Sequence, residues 1–188
     1  MLHSHFHRFL HGLVAFAVFL AMLRPSTAET LSQSDELSLK AAFIYNFAKY
    51  VEWPDDSPGS RTELCIGTLG RPQIDKVLAG LAGKNIRGKT VVIRRFNSEE
   101  EAKNCQILFI DRSELERFED VAHALEGRRV MTVADREGFC AAGGMVTLVN
   151  QDGRITYDIN YREIQRSGLK VSSQLLKLAR KIYGKPRD

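Results

Sequence analysis

The sequence predicts an α/β fold: a mostly parallel sheet flanked by helices, with a C-terminal antiparallel hairpin and a terminal helix. Three observations carry that expectation. Short β-branched or apolar runs alternate with stretches of helical spacing through residues 37–133, the pattern of a parallel sheet with helices on its faces. Two later runs are separated by Asn150-Gln151-Asp152-Gly153, and Asp-Gly is a strong hairpin signal. No repeat, low-complexity tract or linker divides the chain, so residues 29–188 read as one domain.

The elements follow in order. Ser32 with Asp35 resembles a helix-capping box. Leu37, Ala41, Ile44, Ala48 and Val51 then repeat on one helical face, widened by Phe43, Phe47 and Tyr50. Trp53-Pro54 ends that helix, because the residue before proline avoids helical angles. Residues 55–60 are loop. Residues 64–68 form a strand, Gly67-Thr68-Leu69-Gly70 a turn, and Pro72 opens a helix to about Leu81. A loop at 83–89 leads to a strand at 90–93, and Ser98 with Glu101 opens a helical turn. Residues 106–110 (QILFI) are the clearest buried strand. Ser113 caps a helix running to Leu125, and residues 130–133 form the next strand. The hairpin pairs 145–149 with 155–159. Gly168 breaks a short helix. Ser172 or Ser173 caps the last one, with Val171, Leu175, Leu178 and Ile182 on one face and Lys177, Arg180, Lys181 and Lys185 toward its C-terminal end.

Residues 1–28 read as a secretory signal peptide. Histidines and Arg8 precede the apolar run 13–23 (LVAFAVFLAML), and Arg24, Pro25 and Ser26-Thr27-Ala28 follow it. An eleven-residue run makes about 16 Å of helix, short of a ~30 Å hydrocarbon core. The alternative is an uncleaved anchor. Without this segment the net charge falls from +4 to +2, with 25 basic against 23 acidic residues. So small a charge, with no basic stripe interleaved with aromatics, argues against nucleic acid as a partner. His123 is the single histidine left, which removes most routes to a histidine metal site or a Ser/Cys–His pair.

Cys65, Cys105 and Cys140 remain, and in an oxidising compartment two should pair. Three pairings are open. If the strands that Cys65 and Cys105 open are parallel neighbours, those two lie at one sheet edge and can bridge. The alternative is three buried thiols. Several further residues invite a functional reading. Gly67-Thr68-Leu69-Gly70 lies between strand and helix, where backbone N–H groups can meet a phosphate, but it lacks a dinucleotide or P-loop pattern. Gly143-Gly144 can shape a cleft or feed a strand. Asp111 and Asp135 follow strand ends, where they either hold a cation and act as acid or base, or cap the next turn. Phe43, Phe47, Tyr50 and Trp53 are core, or a patch for a partner protein. No nucleophile with a nearby base is identifiable, and no metal or cofactor is expected.

Residues 43–54 (FIYNFAKYVEWP), Cys65-Ile66-Gly67, 105–110 (CQILFI), Gly143-Gly144-Met145 and 155–179 resemble blocks of the YfiR family of exported bacterial proteins, in the same order from about Leu37 to Tyr183. The resemblance implies a periplasmic α/β regulator without enzymatic activity. Such a protein restrains an inner-membrane diguanylate cyclase by binding its periplasmic sensory domain, so that cyclic di-GMP signalling and biofilm growth fall. Cys65 and Cys105 match one disulfide of the family. Cys140 matches half of a second, but the partner position near Thr147 holds threonine, so Cys140 stays free or pairs between chains in a homodimer. The family's small-ligand pocket involves the segment after Ser167-Gly168, here with Lys170 and Ser172. The helix over 37–53 and the loop over 140–145 are the expected partner surfaces. Two rival readings are a periplasmic small-molecule sensor feeding a membrane kinase or cyclase, and an enzyme using Asp111 or Asp135 with a metal.

Overall fold

The computed structural model describes residues 31–54 and 62–184. The expected signal peptide and the loop at 55–60 lie outside the described residues. Helix α1 (Gln33–Tyr50) begins as its sequence indicates, with Ser32 Oγ accepting from the Asp35 amide at 3.2 Å. It ends sooner than expected. Val51–Glu52 leaves the helix as strand β1, and the Trp53 indole donates to the Arg129 carbonyl at 2.8 Å. An extended Val51 lets the chain pair with another segment before the proline.

Strand β2 (Glu63–Leu69) runs straight through Gly67 to Leu69, so the expected four-residue turn shrinks to Gly70. Helix α2 (Asp75–Leu78) continues as a 3-10 turn, and β3 (Asn85–Ile86) forms a small hairpin with β4 (Lys89–Phe96) where a loop was expected. Asn85 Oδ1 closes that hairpin by accepting from the Gly88 amide at 3.0 Å. Helix α3 (Glu99–Ala102), β5 (Ile107–Ile110), a 3-10 segment (Arg112–Arg117), α4 (Phe118–Ala124) and β6 (Met131–Ala134) follow. Asp111, not Ser113, precedes the 3-10 segment. Strands β7 (Val146–Gln151) and β8 (Arg154–Asn160) meet at Asp152 and Gly153, whose φ angles of 51° and 78° make the type I′ turn that Asp-Gly predicts.

Helix α5 (Tyr161–Arg166), β9 (Lys170–Val171), α6 (Ser173–Leu178) and β10 (Lys181–Tyr183) complete the fold. The terminal helix is therefore one short element capped by Ser172, followed by a strand. Leu175 is buried but Leu178 is 67% exposed, so the expected apolar face does not extend. A buried carboxylate explains the change. Asp158 on β8 receives two hydrogen bonds of 2.8 Å from the Arg180 guanidinium, which holds the chain against β8 and starts β10 there.

The eight-stranded sheet has the order β3-β4-β2-β5-β6-β7-β8-β10. Strands β4, β2, β5, β6 and β7 are mutually parallel, β10 is parallel to β8, and the β3–β4 and β7–β8 pairs are antiparallel. Separately, β1 and β9 form a two-stranded ribbon. Alternation on β2 and β5 divides the core. Leu64, Ile66, Ile107 and Phe109 face α1, with Ile44, Phe47 and Val51, while Cys65, Leu69, Leu108 and Ile110 face α4, with Phe118 and Val121. Each large apolar side chain so buried contributes about 1.5–3 kcal/mol.

One charge interrupts the buried stripe of α1. Lys40 is 5% exposed; its ammonium lies 2.5 Å from Glu36 Oε1 and 2.7 Å from Asp135 Oδ2, just past β6. Arg112 adds a contact of 3.3 Å to Asp135, and Asn150 donates to Glu36 at 2.7 Å. Burial pushes the Asp135 carboxyl up, but Lys40 and Arg112 outweigh it and hold it below its usual value. The Lys40 hydrogen bond likewise lowers Glu36. Carboxylates depressed in the fold stabilise it above their unfolded values, and that stability is lost as pH falls through the folded ones. Urea unfolding should therefore give a smaller free energy at pH 3 than at pH 6. Asp135→Asn should cost about 3 kcal/mol at pH 6 and weaken that pH dependence.

Candidate functional site

The N-terminal edge of the parallel strands gathers most of the residues that the sequence singled out. There α1 ends, the β1–β9 ribbon forms, and Trp53 bonds to Arg129 just before β6. The loop 136–145 returns to the same edge, where Asn160 N donates to the Met145 carbonyl at 2.8 Å.

The four aromatics do not form one surface. Phe47 is 0% and Trp53 9% exposed, so both are core, corrections to a reading of all four as a contact patch. Phe47 packs edge-on to Tyr157 at 5.2 Å, and Phe43 does so at 5.5 Å from the half-buried side. Among the aromatics of α1, Phe43, Tyr45 and Tyr50 stay partly accessible, beside exposed Leu39 and exposed Lys49, whose ammonium lies 5.7 Å from the Tyr45 ring centroid. Lys84 approaches the same ring at 5.4 Å.

Lys170 lies in the ribbon and Ser172 follows it. Lys170 is exposed and registers with Glu52. Ser172 caps α6 by accepting from the Leu175 amide at 3.2 Å, and its own amide donates to the Tyr50 carbonyl at 3.1 Å. Its hydroxyl thus has structural work, and neither residue lines the main cleft of this edge. That cleft, about 740 Å³, lies between the C-terminal turns of α4 and α5. Phe118, Leu125, Val130 and Met145 floor it, Gly143 and Thr132 border it, and Thr132 Oγ1 accepts from the Met145 amide at 3.1 Å. The volume is in the range of small-molecule sites. Of its residues, the sequence had marked the Gly143-Gly144-Met145 loop; Arg128, just past α4, and Arg166, at the end of α5, carried no signal.

The double glycine has a packing reason. A Cβ at Gly144 would overlap the Phe139 ring, whose centroid lies 4.7 Å from that of Phe118 with the planes tilted by 59°. The loop is further tied by Cys140, whose amide donates to Thr147 Oγ1 at 3.1 Å and whose carbonyl accepts from Asn160 at 2.8 Å. Cys140 is free and 1% exposed, so a bond to a second chain would require the loop to open. Burial pushes its thiol up to about 11, against the lowering effect of Thr147.

Cys65 and Cys105 form a disulfide, with Cα atoms 4.9 Å apart and 40 residues of separation, between the neighbouring strands β2 and β5. Gln106 completes the join, accepting from the Cys65 amide at 2.7 Å. Gly67 leaves room for this, since a Cβ there would overlap the Phe96 ring and sit 3.0 Å from Cys105 Sγ.

The opposite edge offers little for a ligand. Parallel sheets with this strand order bind ligands where the order reverses, here beyond the C-terminal ends of β2 and β5. A Cβ at Gly70 would lie 3.0 Å from Asp111 Cβ and from Glu114 Cγ, so side chains already fill that crevice. Asp111 accepts from Ser113 Oγ at 2.7 Å, the local turn role, and Asp135 is held by Lys40 and Arg112. Among the described residues no group of three or more His, Cys, Asp or Glu is placed to hold a metal, and no helix is long and apolar enough to cross a membrane.

The fold and this edge define an α/β protein with a mixed, mostly parallel sheet and a shaped cleft away from the usual crevice. The chain belongs to the YfiR/HmsC-like family, whose model matches residues 37–180. Two solved structures share the fold. One is an ABC domain in complex with L-Trp from Streptococcus pneumoniae, with 12% identity, TM-score 0.51, and coverage of 78% of this chain and 60% of that one. The other is a conserved domain protein from Vibrio cholerae O1 biovar El Tor, with 11% identity, TM-score 0.56, and coverage of 81% and 61%. The chain thus spans about three fifths of each. At such identities the likeness is one of fold.

Two variants test the architecture of this region. Replacing both Cys65 and Cys105 by serine should remove about 4 kcal/mol on the chain-entropy estimate, lowering the melting temperature by roughly 10 °C for a domain this size. Gly144→Ala should cost about 1–3 kcal/mol through displacement of Phe139, read from urea midpoints.

Proposed function

We propose that the protein is a periplasmic negative regulator that binds the periplasmic sensory domain of an inner-membrane diguanylate cyclase and lowers cyclic di-GMP signalling. The family match over residues 37–180 carries this reading. The Cys65–Cys105 bridge supports an oxidising compartment, and the signal-like sequence over 1–28 supports export. The regulator works by contact and without turnover. To move a cyclase from 1:99 to 99:1 in favour of its inactive state, it must bind that state more tightly by about 5.5 kcal/mol. Aromatic and apolar side chains are the natural source of such energy. The accessible Phe43, Tyr45 and Tyr50 of α1 and the loop 140–145 are the surfaces proposed for it.

A second reading draws on the cleft volume of about 740 Å³. A small-molecule sensor feeding a membrane kinase or cyclase would use such a cleft, and Lys170 with Ser172 beside the ribbon as a second ligand contact. The two readings separate in the host. Deleting the gene should raise cyclic di-GMP, measured by mass spectrometry of cell extracts, and the intact gene should restore it. An unchanged level refutes repression. For the sensor reading, a metabolite at 100 times its Kd should raise stability by about 2.7 kcal/mol.

A further inference from the structure

The outer face of α1 and the β3–β4 turn beside its end carry cations that no carboxylate neutralises. Residues 37–51 contain no Asp or Glu. Ala42, Asn46 and Lys49 are exposed along one line of the helix, with Leu39 at 40% exposure and Phe43, Tyr45 and Tyr50 half-buried beside it. From Leu39 to Lys49 that line runs about 15 Å. Two ammoniums meet at one ring: Lys49 lies 5.7 Å and Lys84 5.4 Å from the Tyr45 centroid, and Lys49 is 5.8 Å from that of Tyr50. Arg87, exposed at the β3–β4 turn, donates to the Val51 carbonyl at 3.3 Å, just past the same helix. Among the described residues none of these three cations has a carboxylate partner. The acids that bracket α1 are engaged elsewhere. Asp35 accepts from Ser32 Oγ at 2.6 Å, Glu36 is held by Lys40, and Glu52 registers with Lys170 in the ribbon.

An ammonium over an aromatic face keeps its charge and leaves its outer side open to an anion. Tyrosine offers an apolar body and a polar tip, the residue type that settles where hydrocarbon meets water. A helix face that joins such rings and a leucine to lysines without acids has the chemistry of a protein lying on an anionic bilayer surface. Its rings stand only half clear of the fold, too shallow to anchor in a partner's pocket, whereas lipid headgroups adapt to a shallow surface. We propose that this face adsorbs the protein to anionic phospholipid, with Lys49, Lys84 and Arg87 meeting headgroup phosphates while Leu39, Tyr45 and Tyr50 rest at the interface. The inference goes beyond the regulator reading and does not depend on it. It adds a lipid contact to α1, beside the loop 140–145 already proposed for the cyclase.

Vesicle sedimentation tests this on the protein as purified from its host, with the same N-terminus on every variant. Wild type should pellet with vesicles of phosphatidylglycerol and phosphatidylcholine in equal parts, weakly with phosphatidylcholine alone, and less as salt rises. Lys49→Ala with Lys84→Ala should lower partitioning onto the anionic vesicles about 30-fold, the effect of two lysines at such a surface. Ala42→Glu sets an anion on the exposed line without touching the core, and should weaken binding about fivefold or more. Arg128→Ala with Arg136→Ala, both exposed beside Phe118 on the α4 side of the sheet, removes the same charge and should leave binding near wild type. Melting curves show which variants are folded; should the lysine pair unfold, Ala42→Glu and the salt dependence decide. No pelleting with anionic vesicles, or equal pelleting with phosphatidylcholine alone, overturns the proposal. Equal loss in the arginine pair marks attraction by net charge alone and overturns it too, as does binding unchanged by the lysine pair and by Ala42→Glu. Cyclic di-GMP after gene deletion judges the regulator reading separately.

Discussion

The seating of α1 on the sheet is the constraint on which the other arrangements depend. At 18 residues it is the longest described helix, and Ile44 and Phe47 place it over the middle of the sheet at 0% exposure. Its two ends are then tied by different chemistry. Near the start, Lys40 is desolvated between Glu36 and Asp135, a geometry that tolerates no slip because an unpaired buried charge is costly. Near the end, Val51 and Glu52 join Lys170 and Val171, and Trp53 reaches Arg129. Tyr157 extends the chain of contact, packing on Phe43 and Phe47 while its hydroxyl donates to the Leu175 carbonyl of α6 at 2.8 Å. Segments remote in sequence thereby meet at one edge.

Much of this was legible in the sequence, and the exceptions share a cause. The Ser32 cap, the QILFI strand, the Asp152-Gly153 hairpin and the neighbouring positions of Cys65 and Cys105 are governed by short-range chemistry or by simple alternation. The failures come where a distant partner overrides local preference. Residues 51–52 look helical by spacing, yet pair with 170–171. Residues 180–183 extend a helical pattern, yet Asp158 anchors Arg180 and the strand β10 starts at the next residue. Nothing in the helical spacing marks Lys40 as buried, and its only local clue is Glu36 four residues earlier. Of the candidate site, the double glycine could be read, whereas the arginines of the cleft could not, because nothing within α4 or α5 announces that their C-terminal turns face each other.

The same topology explains why interest moves away from the usual place. Where parallel strands diverge at their C-terminal ends, a crevice normally opens. Here Asp111 and Glu114 crowd Gly70, and Asp135 is committed to Lys40 and Arg112. The antiparallel return of β8 instead brings Asn160, Met145 and α5 to the opposite edge. The customary crevice is closed, and the cleft of this domain lies at the far edge of the sheet instead.

Cys140 gives the molecule an internal clock. Its sulfur is screened from solvent, and its proton is held too firmly at neutral pH for appreciable thiolate to form. Alkylation of the oxidised protein therefore waits for the glycine-rich loop to lift, and the labelling half-time, extrapolated against reagent concentration, times the breathing of that wall. A single natural sulfur thus reports the opening of that loop without any added probe.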